Sequence, residues 1–166
     1  MSRTTVRIAG FTLAAAFACG VAGSADAQLV THKDLTTAIA MTMAETAIQT
    51  CKQQGYNVSA NVVGRTGQVL VAMRGDNTGP HTLENSMKKA YTANAQRRPS
   101  GEYAKAVQAN PRGGVLLTNL VPAQGALPIK VGEDTIGAIG VSGAPGGDKD
   151  EACAKAGIDK VSADLK

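Results

Sequence analysis

The chain has 166 residues, with 17 Lys and Arg against 13 Asp and Glu, a net charge of +4, and no Trp. That surplus is too small and too scattered for nucleic-acid binding: Lys88-Lys89 and Arg97-Arg98 are short clusters of the kind carried by solvated helix faces. Aromatic residues make up 3% of the chain, which removes a base-stacking platform as well.

Residues 1–27 read as a cleavable targeting segment. Arg3 and Arg7 give a positive start, residues 8–21 are mostly apolar, and Ala25-Asp26-Ala27 fits a small-x-small cleavage pattern, leaving Gln28 as the expected mature N-terminus. The apolar run is shorter than the roughly 18 to 20 residues that cross a bilayer, so no membrane span is expected after processing. A retained membrane anchor and a lipid anchor at Cys19 are the alternatives; for the latter, Ala16-Phe17-Ala18 lacks a leucine-like lipobox start. The expected location is periplasmic or secreted. Residues 28–166 show no repeat, low-complexity tract or linker and are expected to form one domain.

The spacing predicts a first helix over residues 31–54, with Thr37, Met41, Ala44, Ile48 and Cys51 recurring at four and three and Gly55 as its stop. Residues 57–63 alternate, with Val58, Ala60 and Val62 on one face. After the Gly64-Arg65-Thr66-Gly67 turn, residues 68–74 form the second arm of a hairpin. Arg74-Gly75-Asp76 spells an adhesion tripeptide, but three residues carry almost no specificity and it reads as a turn. Pro80 suits the first position of a helix that runs to Gln96 with a Glu84–Lys88 pair at i,i+4. Pro99 breaks the chain before a short helix over 100–109. Strands are expected at 115–117, 127–131 and 135–141, and Asp148 with Glu151 predicts a capping-box start for the last helix, whose core stripe is Ala154, Ile158, Val161 and Leu165. Hairpin connections dominate, so the expected class is α+β, a mainly antiparallel sheet of about five strands packed by helices.

Two cysteines survive processing, and an even pair in an exported chain favours one structural disulfide, Cys51 to Cys153; two separate buried thiols are the alternative. No nucleophile elbow, Walker loop, HExxH or Cys-x-x-Cys occurs, and no catalytic residue is assigned. Ser142-Gly143-Ala144-Pro145-Gly146-Gly147 joins a strand to a helix, where unpaired N–H groups make an anion cradle or simply a tight connection; Ser142, Gly143, Gly146 and Gly147 are its candidate donors. Gly137, Gly140 and Gly143 point to close approach by a neighbouring backbone or a ligand. His81, beside a loop at the start of the central helix, is either an iron ligand or an exposed helix-start histidine. His32 lies near the mature N-terminus and belongs to a tail. Met73, Met87 and Tyr91 are haem-lining candidates, although Met87 and Tyr91 also fit a core stripe.

Taken together, Val62-Val63-Gly64-Arg65-Thr66-Gly67, Arg74-Gly75-Asp76, Lys88-Lys89-Ala90-Tyr91-Thr92-Ala93 and the block from Ile139 through the glycine turn to Glu151 resemble the GlcG/HbpS-like family, in the same order over residues 35–161. The resemblance implies a profilin-like α+β fold, assembly into homo-oligomers, and haem binding in several exported members, some of them accessories to a sensor or other protein partner. It implies His81 as the iron ligand with Thr82 as an adjacent oxygen donor, and Arg74, Lys88 and Lys89 as partners for haem propionates. The expected function is therefore an exported haem-binding protein for haem storage or for haem and redox sensing. The alternatives are an enzyme acting on haem or a small organic acid, and an oligomeric interaction module to which haem is incidental.

Overall fold

The computed structural model describes residues 29–111 and 117–166. The targeting segment and Cys19 lie outside the described residues, as does the expected strand at 115–117 except Leu117, which is not in a strand. The chain divides into units at 1–31 and 32–166, and all the elements below belong to the second.

The element order is α1 (Thr37–Gln53), β1 (Ser59–Gly64), β2 (Val69–Arg74), α2 (Thr82–Gln96), α3 (Ser100–Ala109), β3 (Ala126–Val131), β4 (Asp134–Ser142) and α4 (Gly147–Lys160), closed by a 3-10 turn at Ser162–Asp164. Among the described residues the sheet has four strands, in the order β2-β1-β4-β3, all antiparallel. The α+β class stands; against the expected count of about five strands, four are found among the described residues.

Period-2 alternation in the two central strands sorts the layers. Val58, Ala60 and Val62, with Ile139 and Val141, join Ile129 in the main core under α1 and α4. The opposite residues, Ser59, Asn61, Gly140 and Ser142, lie under α2, where the apolar cluster among the described residues is Val63, Ala90, Ala93, Ala126 and Ala138. Both faces are therefore covered, and every residue of β1 is buried.

The inward face of α1 keeps Ala44, Ile48 and Cys51 of the expected stripe but not Thr37 or Met41. Ala40, Met43, Ala44, Ala47 and Cys51 are buried, whereas Met41 is 51% exposed. Alanines at these positions let α4 come close: a β-carbon at Gly157 would collide with or displace the Met43 carbonyl. Cys51 and Cys153, 102 residues apart, are disulfide-bonded between these two helices. The expected α4 stripe holds, with Ala154 and Val161 buried and Ile158 and Leu165 packed against the core.

On the other face, α2 rests directly on β4. A β-carbon at Gly140 would collide with the Ser86 carbonyl and stand 2.7 Å from the Ala90 nitrogen, so the strand can carry no side chain there. Replacing Gly140 with Ala is expected to cost roughly 1–3 kcal/mol by overpacking. Urea unfolding of the variant checks this, and an unchanged midpoint would show that α2 lifts off freely.

Candidate functional site

Polar side chains bridge α2 to the sheet beneath it. Thr82 Oγ1 and Ser59 Oγ are hydrogen-bonded at 2.8 Å, Asn61 Nδ2 donates to Ser86 Oγ at 2.7 Å, and Asn85 Nδ2 donates to Ser142 Oγ at 2.9 Å. Such a layer pairs the buried hydroxyls and the Asn61 amide nitrogen under the helix, while Asn61 Oδ1 is buried without a partner.

At one end of this layer a cleft of about 480 Å³ opens between the start of α2 and the β4–α4 turn. Its walls include His81, Thr82, Asn85, Lys89, Ser142 and the whole glycine turn from Gly143 to Gly147, with Asp150 at the floor. Gly143 has φ +136, and a β-carbon there would collide with the Asn57 carbonyl, so the turn needs glycine twice over. Gly146 caps α4 and no side chain caps it, so the expected Asp148–Glu151 capping box does not form. α4 begins one residue early, at Gly147, and Glu151 turns instead toward Gln124 in a neighbouring groove, where burial pushes its carboxyl above the ordinary value.

The floor of the cleft is a buried ion pair. Lys89 Nζ lies 2.8 Å from Asp150 Oδ2 and donates to the Val141 carbonyl at 3.1 Å, and the Ala144 N–H donates to Asp150 Oδ1 at 3.0 Å. Burial pushes the Asp150 carboxyl up, and Lys89 opposes the shift. Asp150 therefore ties α2 and the glycine turn to α4.

The structure brings together His81, Thr82, Lys89, Ser142, Gly143, Gly146 and Gly147, all of them expected site residues. It does not bring Arg74 or Lys88 into the cleft. Arg74 donates to the Gly79 carbonyl at 3.1 Å and the Pro80 carbonyl at 3.2 Å, fastening the loop that precedes His81. Lys88 is held by Glu84 at 2.7 Å, the expected i,i+4 pair. Met73 packs on the α1 side, and the Tyr91 ring closes over Gly67 at the hairpin end, so neither lines the cleft. His32 pairs with Asp34 at 3.3 Å. Among the described residues, no cluster of three or more His, Cys, Asp or Glu is placed to hold a metal ion, and no helix is long and apolar enough to cross a membrane.

An α+β domain with α2 laid over a small-residue sheet face, and a glycine turn opening α4 beside it, defines a recurring class. Residues 35–159 match the family described as haem degrading protein HbpS-like, and the chain belongs to the HbpS-like family. The crystal structure of a double mutant of HbpS from Streptomyces reticuli is similar at 32% identity and a TM-score of 0.77, covering 84% of this chain and 94% of that one. Klebsiella pneumoniae protein ORFY is similar at 27% identity and a TM-score of 0.73, over 82% of this chain and 96% of its own. An uncharacterized 15.0 kDa protein from the dhaT-dhaS intergenic region of Citrobacter freundii is 34% identical over 113 residues, 66% of this chain and 80% of that protein.

Proposed function

We propose that this chain is an exported haem-binding protein that takes haem in the cleft between α2 and α4, with His81 as the iron ligand. The observation that carries the reading is the His81 ring, which leans on Gly79 at the mouth of a cleft floored by a lysine and a glycine turn. The donor set suits the group: a neutral imidazole ligates haem iron, and backbone N–H groups, the Ser142 hydroxyl and Lys89 suit carboxylates such as propionates. Ala123, Ala144 and Pro145 supply an apolar wall. Haem, when bound, supplies a redox-active iron. The chain's own residues orient it: Arg74 fixes the loop ahead of His81, and Asp150 fixes the glycine turn.

Family membership supports a haem-related role. Export rests on residues 1–27, with cleavage before Gln28 placing the 28–166 domain in the periplasm or outside the cell. Storage of haem, or haem and redox sensing through a homo-oligomer and a sensor or other protein partner, follows as the finer proposal. A second reading, turnover of haem or a small organic acid, draws on the same glycine turn and on Lys89, which suit a carboxylate substrate.

Titration of the mature chain with haemin tests the first reading. A saturable Soret shift is expected in the wild type and its loss in His81→Ala. A shift retained in the variant moves the ligand elsewhere, and no saturable shift in the wild type sinks haem binding.

A further inference from the structure

Lys89 and Asp150 line the cleft although their side chains are only 5% and 4% exposed. The Lys89 ammonium has three hydrogens, of which one goes to Asp150 and one to the Val141 carbonyl. Ser142, also buried and in the same wall, accepts from Asn85 through its oxygen and keeps its own O–H to donate. Donors for a carboxylate are therefore assembled at the floor, but the positive charge among them is already balanced by Asp150. A ligand carboxylate that reaches Lys89 meets a second carboxylate in a poorly solvated place, where two like charges cannot both persist cheaply.

We infer that the cleft floor is a carboxylate-binding site coupled to protonation: an incoming ligand carboxylate takes the Lys89 ammonium, and Asp150 takes up one proton from solvent. The only bond formed is the O–H on Asp150, its proton comes from solvent, and the one proton taken up offsets the one negative charge that the ligand brings. Asp150 keeps its Oδ1 bond from the Ala144 N–H in either state, so the glycine turn stays in place. The charged groups facing Asp150 are Lys89 from α2 and Asp148 from the first turn of α4, whose negative charge also favours protonation. Burial acts in the same direction. His81, at the start of α2, is a further titratable group in the cleft and requires a control. The inference rests on reading this cleft as the ligand site, and names its ligand class as a carboxylate, whether a haem propionate or a free monocarboxylic acid.

Propionate is the probe, titrated calorimetrically into the full mature chain between about pH 5 and pH 8, in two buffers of different ionisation heat. Saturable binding is expected, with uptake approaching one proton per propionate. Affinity should fall about tenfold per pH unit where Asp150 is ionised. Asp150→Asn keeps an oxygen for the Ala144 N–H and removes the exchangeable charge. It should bind propionate without that slope, and at least as tightly as the wild type does at the acid end, while His81→Gln should keep the slope. The same slope in Asp150→Asn, no net proton uptake by the wild type, or no saturable binding at any pH overturns the inference. Haemin bound through His81 without proton-coupled propionate binding defeats the inference alone. Proton-coupled propionate binding without a Soret shift supports it and defeats the haem reading.

Discussion

Lys89→Met is expected to lower the unfolding free energy by about 3–5 kcal/mol, the range for breaking a buried ion pair by removing one partner. The loss arises because Asp150, 4% exposed and holding the glycine turn through Ala144, is left without its counter-charge. In a domain of this size it corresponds to a fall in Tm on the order of 10–20 °C. The double variant Lys89→Met with Asp150→Asn should recover most of it, since no unpaired charge remains and the asparagine oxygen still accepts from Ala144. Urea denaturation of the two variants measures the difference, and equal stability of single and double variants would contradict the pairing argument. The pH dependence has a definite sign. The folded-state pKa of Asp150 is raised, so its contribution to stability is fully present below the ordinary aspartate value and is lost as pH rises through the folded-state value. Moderate acidification therefore does not weaken the fold through this group.

Removal of the disulfide, by Cys51→Ala with Cys153→Ala, is expected to cost roughly 2–5 kcal/mol, because a closed loop of about 100 residues restricts the unfolded chain strongly. The 102-residue separation puts this bond near the upper end of that range. Both cysteines are fully buried, so mild reductant should leave the folded protein oxidised, with reduction following unfolding. Calorimetry of the double variant gives the stability, and thiol counting under native conditions gives the accessibility. A loss under about 1 kcal/mol would mean that α1 and α4 are held by their alanine contacts instead.

What could be read in advance was what local spacing encodes. The Val58, Ala60, Val62 face, the break at Pro99, the Glu84–Lys88 pair and the even cysteine pair all depend on a few neighbouring residues or on compartment, and each is found in the fold. His81 and the glycine turn were legible as separate candidates, though nothing local showed that they share a cleft. Asp150 was missed because Asp148 and Glu151 match a stronger local pattern, while its partner Lys89 is 61 residues away. The only signal was an acidic residue in the first turn of α4 that the capping pattern left unused. Lys88 and Lys89 are adjacent and look alike in sequence, but a helix turns neighbours through about 100°, so one meets Glu84 at the surface and the other the buried floor. The expected face of α1 held at Ala44, Ile48 and Cys51 and failed at Thr37 and Met41, because its alanines fit either orientation and tertiary approach of α4 decided between Met41 and Met43.

Gly140 acts as a mechanical stop. Backbone meets backbone where Ser86 and Ala90 cross it, so α2 can neither sink toward β4 nor ride higher on a compressible side chain. The height of α2 over β4 is thereby gauged by main-chain atoms, while the Lys89–Asp150 pair holds the glycine turn against it. One edge of the cleft is therefore set by a glycine that lies outside its lining.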